Sequence, residues 1–330
     1  MSSPAPLIDA PKSRGKLYAI VALAVLAIVA IVVAIVAVTG STNDANRAGA
    51  NPGEAGDAVA TGPGSAGDPV RIGVVGASEP QWAPYVAAAA AAGISVELVD
   101  FSEYNQPNPA LSADDLDLNQ FQHLVYLAEY NVASDENLVP LGATAIYPLG
   151  LYSSAYESVD EIEDGDTVAV PNDPSNLARS LLVLQSAGLI KLAGGGSALS
   201  GLDDIDAGSS RVEVIALEAA LTVTSLPDVA AAIINNDFIT DAGLTPDDAL
   251  FQDDPSDPSA VPYVNVFAAR SADADNAVYL KLVDIFQNTD AVTDALVEGS
   301  GGTAILAATP VDELVDTLTT VEEDTAAAEG

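Results

Sequence analysis

The segment PNDPSNLARS, Pro171 to Ser180, sets an asparagine and an arginine three residues apart at the start of a helix. Asp173 followed by Pro174 reads as an N-cap with proline at the first helical position, so Asn176 and Arg179 share a face near the helix N-terminus. The macrodipole favours anions at that end, and an arginine gains nothing from it. Backbone N–H groups, the dipole and a planar guanidinium would together grip a carboxylate, the guanidinium in a two-pronged way. The competing reading is structural, with Arg179 as the ion-pair partner of a nearby acid. A second segment, NQFQHLVYLAEY, gathers Phe121, His123 and Tyr126 around the first turns of a helix or the loop leading into it. Rings beside an amide and an arginine suit a small ligand with an apolar tail and an amino-acid head. The alternative is that Phe121 and Tyr126 are core and His123 a satisfied polar residue.

Cations are scarce in this chain. Its 330 residues include 10 Lys+Arg against 48 Asp+Glu, a formal net charge of -38, and His123 is the one histidine. Binding to nucleic acid rests on basic residues that neutralise phosphates, so nucleic acid is excluded as a partner. Such acidity suits a salty or cell-envelope setting, or reflects the general composition of its lineage. With no cysteine there is no disulfide framework, thiolate metal site or lipid-bearing thiol. A lone histidine without cysteine partners does not make a metal site. DDPSDP (Asp253 to Pro258) and EED (Glu322 to Asp324) lack the alternating ligands and glycine of a calcium loop and read as solvated charge. GASEP after the first strand lacks the glycine pattern of a phosphate loop. No Ser/His/Asp order suggests a catalytic triad. Neither an enzyme nor a cofactor is expected.

These segments need elements to position them. Leu17 to Val38 is uninterrupted apolar sequence, close to the roughly 20 residues that cross a bilayer. Lys12, Arg14 and Lys16 precede it, so the positive-inside rule leaves residues 1–16 in the cytoplasm and the rest outside. The run exceeds the about 7–15 apolar residues of a signal peptide, so an uncleaved single-pass membrane anchor over 17–38 is expected. Residues 39–69, rich in Gly, Ala, Asn, Asp and Pro, read as a flexible linker. From Arg71 onward, short β-branched runs alternate with helical stretches, which predicts an α/β fold of parallel sheets covered by helices. The helical spacing of Phe121, Leu124, Val125 and Ala128 assigns Phe121 to a helix. In open sheets of this kind, ligands sit beyond the carboxyl ends of the strands, where DTVAVP runs into NDPSNLAR.

The segments FSEYNQPNPALSADDLDLNQFQHLVYL, DTVAVPNDPSNLARSLLVLQSAGLIKL, AIINNDFITDAGLTP and PYVNVFAARS resemble the methionine-binding proteins of bacterial ABC importers, the NlpA-type substrate-binding family. The resemblance is collinear from about Arg71 to past Arg270. It implies a type II periplasmic-binding-protein fold, with lobe I over 70–148 and 258–325 and lobe II over 149–257. It further implies that Tyr104, Phe121, His123 and Tyr126 wrap a thioether side chain, that Arg179 holds the carboxylate beside Asn176, and that Asn235 and Asn265 bind the amino and carboxylate groups. The implied partners are methionine and the permease and ATPase subunits of an importer. Family members normally carry a lipidated cysteine; here the apolar segment stands in its place. The stretch EAALTVTSL lacks a proline and a basic residue common in relatives, which keeps open a methionine-containing dipeptide or another apolar amino acid as ligand. A surface sensor or adhesin on the same fold is the alternative from another class.

Overall fold

The computed structural model describes residues 61–329. The expected cytoplasmic segment, the Leu17–Val38 anchor and the linker up to residue 60 lie outside the described residues. Among the described residues no helix is long and apolar enough to cross a membrane. The last part of the expected linker is folded: Gly64 N donates to Asp68 O at 2.8 Å, and Ser95 N donates to Gly64 O at 2.7 Å.

Two five-stranded sheets organise the chain. The first contains β1 (Val70–Val75), β2 (Val96–Phe101), β3 (Leu118–His123), β4 (Leu138–Ala143) and β11 (Asn265–Arg270), in the order β2-β1-β3-β11-β4. The second contains β6 (Gly150–Tyr152), β7 (Thr167–Pro171), β8 (Glu213–Leu217), β9 (Ala231–Ile234) and β10 (Phe251–Gln252), in the order β10-β6-β9-β7-β8. A short ladder joins β5 (Ala145–Ile146) to β12 (Ile305–Leu306). VRIGVV is largely apolar and buried and takes an interior position, whereas VELVDF carries an exposed acid on each face, Glu97 and Asp100, and forms an edge.

Each sheet is mixed, a correction to the expected parallel arrangement. β1 runs parallel to β2 and β3, but β11 is antiparallel to both β3 and β4. β7 is parallel to β8 and β9, while β6 and β10 run against their neighbours. The cause is connectivity: the chain leaves the first sheet after β4, enters the second as β6, and returns after β10 to insert β11 between β3 and β4. The two lobes are thus joined by two strands of chain.

Helices cover these sheets. They are α1 (Trp82–Ala91), α2 (Pro107–Ser112), α3 (Leu124–Ser134), α4 (Pro174–Ser186), α5 (Ala219–Ser225), α6 (Ala277–Asn288), α7 (Asp290–Gly299) and α8 (Val311–Glu329). Trp82, Tyr85, Phe267 and Phe286 interlock under α1 and α6, with Tyr85 and Phe286 edge-to-face at 5.4 Å. Val168, Val170, Leu181 and Leu184 fill the second lobe between β7 and α4.

The assignment of Phe121 to a helix is also corrected, since LNQFQH is a fully buried strand and the helix begins at Leu124. Its polar residues hid it, because Asn119 and Gln122 do not resemble core. They are satisfied inside: Asn119 Nδ2 donates to Asn108 Oδ1 at 2.8 Å, and Asn108 Nδ2 donates to Gln122 Oε1 at 2.7 Å. Buried amides paired in this way satisfy their hydrogen-bonding demand without water.

Gly73 in β1 allows Leu116 and Phe101 to close over the strand; a Cβ there would sit 2.4 Å from Leu116 Cδ1 and 3.2 Å from Phe101 Cε2. Gly73→Ala should destabilise the protein by about 1–3 kcal/mol through overpacking, read as a lower urea midpoint with unchanged slope. An unaltered midpoint would show that the neighbours yield freely.

Candidate functional site

The carboxyl ends of strands from both sheets converge on one cavity of about 40 Å³. β3 delivers Phe121 and His123, and β9 runs into Asn235. The antiparallel β11 begins at Asn265, which pairs in register with His123 and so reaches the same end. β7 is followed by α4 with its N-terminal turn directed at the cavity, and Tyr104 comes from the loop after β2. All eight residues singled out in the sequence, Tyr104, Phe121, His123, Tyr126, Asn176, Arg179, Asn235 and Asn265, line it.

The helix start is built as its sequence suggests. Asp173 is the N-cap and accepts from Asn176 N at 3.0 Å and from Asn176 Nδ2 at 2.8 Å. Burial raises the Asp173 pKa, and these hydrogen bonds oppose the rise. Arg179, one turn on, is 6% exposed. Its Nε donates to Asp253 Oδ2 at 2.7 Å and its Nη2 to Tyr147 O at 2.8 Å. Nη1 has no hydrogen-bond partner among the described residues. The guanidinium carbon stands 4.5 Å from the Tyr263 ring centroid, a cation–π contact. The ion-pair reading of Arg179 is realised in Asp253, and one of its nitrogens keeps no hydrogen-bond partner among the described residues.

Amides surround this cation. Asn235 Nδ2 donates to Asn176 Oδ1 at 2.9 Å, while Asn235 Oδ1 is buried without a partner among the described residues. An orphaned buried acceptor is uncommon and calls for an explanation. His123 caps α3, its Nδ1 accepting from Tyr126 N at 3.1 Å, so the ring proton lies on Nε2 and faces Asn176 Oδ1 at 3.4 Å. Burial, then the Arg179 charge, lowers its pKa to about 3. The ring stays neutral.

On the other side of the cavity, rings form a box. Tyr104 lies 5.8 Å from Phe121, 6.1 Å from Tyr126 and 5.1 Å from Phe238, centroid to centroid. Tyr104 OH donates to Asp237 Oδ2 at 2.7 Å. Burial raises the pKa of Asp237, and burial followed by the Asp237 charge raises that of Glu79.

Sequence reasoning missed Phe238, Tyr263, Tyr147, Asp237 and Asp253. Phe238 and Tyr263 stand as single aromatics in polar or irregular text, with no periodicity to mark them. Asp253 was hidden by the abundance of acids in DDPSDP.

The family model described as NlpA lipoprotein matches residues 70–308, which span both sheets and every cavity residue. The chain belongs to the NlpA lipoprotein family. Among relatives of this family, the D-methionine-binding lipoprotein MetQ of Yersinia pestis is 42% identical over 216 residues, covering 64% of this chain and 78% of the relative. Solved structures share the fold, two of them as follows. One is a nutrient binding protein from Burkholderia cenocepacia bound to methionine, with TM-score 0.66, 33% identity, and coverage of 72% of this chain and 99% of that one. The other is the substrate binding protein of a methionine transporter from Streptococcus pneumoniae, with TM-score 0.67, 31% identity, and coverage of 72% and 95%.

Because His123 is the one histidine, its ring signals in a proton NMR titration are unambiguous. They should hold their neutral-form shift down to about pH 4 and move near pH 3, whereas a midpoint near 6.5 would mean that water reaches the ring. The unfolded chain binds this proton at higher pH than the folded one. Its contribution to stability is therefore complete above about pH 6.5 and is lost as pH falls toward 3.

Proposed function

We propose that the protein is an extracytoplasmic substrate-binding protein that captures methionine and delivers it to an ABC importer. The observation that carries this reading is the pairing, in one buried cavity, of a cation with a free Nη1 and an amide oxygen with no donor, Arg179 and Asn235. A zwitterion answers both: its carboxylate meets Nη1 and its ammonium donates to Asn235 Oδ1. Asn176 and Asn265 flank the head. The thioether then enters between Tyr104, Phe121 and Tyr126, which line the cavity, with Phe238 packed on Tyr104; sulfur on aromatic rings is favourable by about 0.3–1.5 kcal/mol per contact. The methionine-related names of the relatives agree with this chemistry.

No covalent step is involved. The cavity, about 40 Å³, has room for only two or three waters by the usual measure, so an amino acid enters when the lobes part. Contacts that cross between the lobes include Tyr104 with Asp237, His123 with Asn176, and Ser175 N donating to a Glu129 carboxylate at 2.9 Å. Ligand would shift the open-to-closed balance by adding contacts that exist only when the lobes meet. Two segments of chain between the lobes give the hinge. The permease and ATPase of the importer are the partners, and the apolar segment Leu17–Val38 would hold the lobes outside the membrane on the chain that follows it.

A second cavity, about 160 Å³, adjoins the first through Tyr147 and Asn236. It favours, as a second reading, a methionine-containing dipeptide whose extra residue occupies that space. Calorimetric titration of ligand-stripped protein with L-methionine, D-methionine and a methionyl dipeptide separates the readings. Micromolar or tighter binding, about -8 kcal/mol or better, is expected for free methionine, and heat only with the dipeptide would favour the second.

Asn235→Ala should weaken methionine binding about tenfold, or ~1.4 kcal/mol. The ligand-free protein should melt only slightly below the wild-type temperature, since the oxygen removed has no partner among the described residues and the amide nitrogen gives up a single hydrogen bond, to Asn176 Oδ1, of about 1 kcal/mol. A large fall in Tm with unchanged affinity would mean that the asparagine serves the fold instead.

A further inference from the structure

The geometry points to Asp253 as a positioning residue that aims Arg179 so that a single nitrogen, Nη1, reads the ligand carboxylate. This rests on the binding function proposed above. Asp253 stands at the start of DDPSDP, just after β10, on the chain's return to the first lobe. Its Oδ2 accepts from Arg179 Nε at 2.7 Å, and its Oδ1 accepts from Arg179 Nη2 at 3.2 Å and from Leu149 N at 2.7 Å. Arg179 Nη2 also donates to Tyr147 O at 2.8 Å.

Three pieces of chain are tied by these bonds. Tyr147 and Leu149 belong to the outgoing connection between the lobes, Asp253 to the returning one, and Arg179 to α4. A free guanidinium presents its donors as a fork that meets a carboxylate through two bonds. Here one fork, Nε with Nη2, is already closed on Asp253, so the ligand meets the remaining nitrogen. The Asp253 side chain is 28% exposed and that of Arg179 7%, so the acid carries charge balance from the rim to a cation buried at the centre. Without Asp253, Nε and Nη2 would turn toward other acceptors and Nη1 would leave its aim. The carboxylate of the ligand would then be recognised less well, while its side chain would still meet the aromatic box.

The test is calorimetry on wild type, Asp253→Ala, Arg179→Ala and the double variant, with L-methionine and with L-methioninamide, which keeps the ammonium and thioether but lacks the carboxylate. Asp253→Ala should lower affinity for L-methionine tenfold or more and for L-methioninamide less than threefold. In the Arg179→Ala background, Asp253→Ala should change L-methionine affinity less than twofold, since its effect passes through the arginine. If the alanine variant does not fold, Asp253→Asn serves. It keeps the size but sets an NH₂ among three N–H donors, and the same preferential loss for L-methionine is expected. Equal losses on both ligands, full additivity with Arg179→Ala, or an unchanged affinity for L-methionine would overturn the assignment. Absence of methionine binding in wild type would instead remove the functional reading on which it stands.

Discussion

A guanidinium taken out of water is the constraint around which the cavity is arranged. Removing such an ion from solvent costs several kcal/mol unless charge and hydrogen bonds replace the water. Arg179 finds these replacements in three places: the Asp253 carboxylate, the Tyr147 carbonyl and the Tyr263 ring. Both connections between the lobes must pass close to α4 to supply them. The N-cap at Asp173 fixes the helix, the helix fixes the arginine, and the crossing chains fix the direction of its donors.

The surrounding electrostatics match a ligand with no net charge. Arg179 is balanced by Asp253, so a bound carboxylate alone would leave an uncompensated negative charge in a chain that already carries -38. An ammonium on the same molecule removes that excess. Burial tempers the charge of the neighbouring titratable groups. His123 is neutral, and burial raises the pKa values of Asp237 and Glu79.

The sequence revealed the candidate site more fully than the layers that hold it. Asn176 and Arg179 could be placed because capping geometry is local: Asp173 and Pro174 set the helix start, and spacing does the rest. The rings at 121 and 126 and the amides at 235 and 265 were recognised through family resemblance, since nothing local brings them together. Phe121 was assigned to a helix because strand β3 satisfies its amides through Asn108, a partner in the preceding helix that no periodicity reports. Sheet direction was misjudged for a similar reason, as β11 gains its place from tertiary pairing with β3 and β4. Asp253 looked like one acid among many, and only the fold selects it.

β11 lies between β3 and β4, yet it is made only after the whole second sheet. On the ribosome the first lobe therefore emerges with a slot in the middle of its sheet, while β6 to β10 can pair among themselves at once. Sequence-distant pairing of this kind is slow, because the intervening chain must be brought round before any contact rewards it. The second lobe is then the unit able to fold first, as a closed excursion that shortens the effective distance between β4 and β11. Until that strand arrives, the facing edges of β3 and β4 expose unpaired backbone groups of the sort that recruit foreign strands. A nascent first lobe is thus the stage at which this protein is most exposed to misassembly.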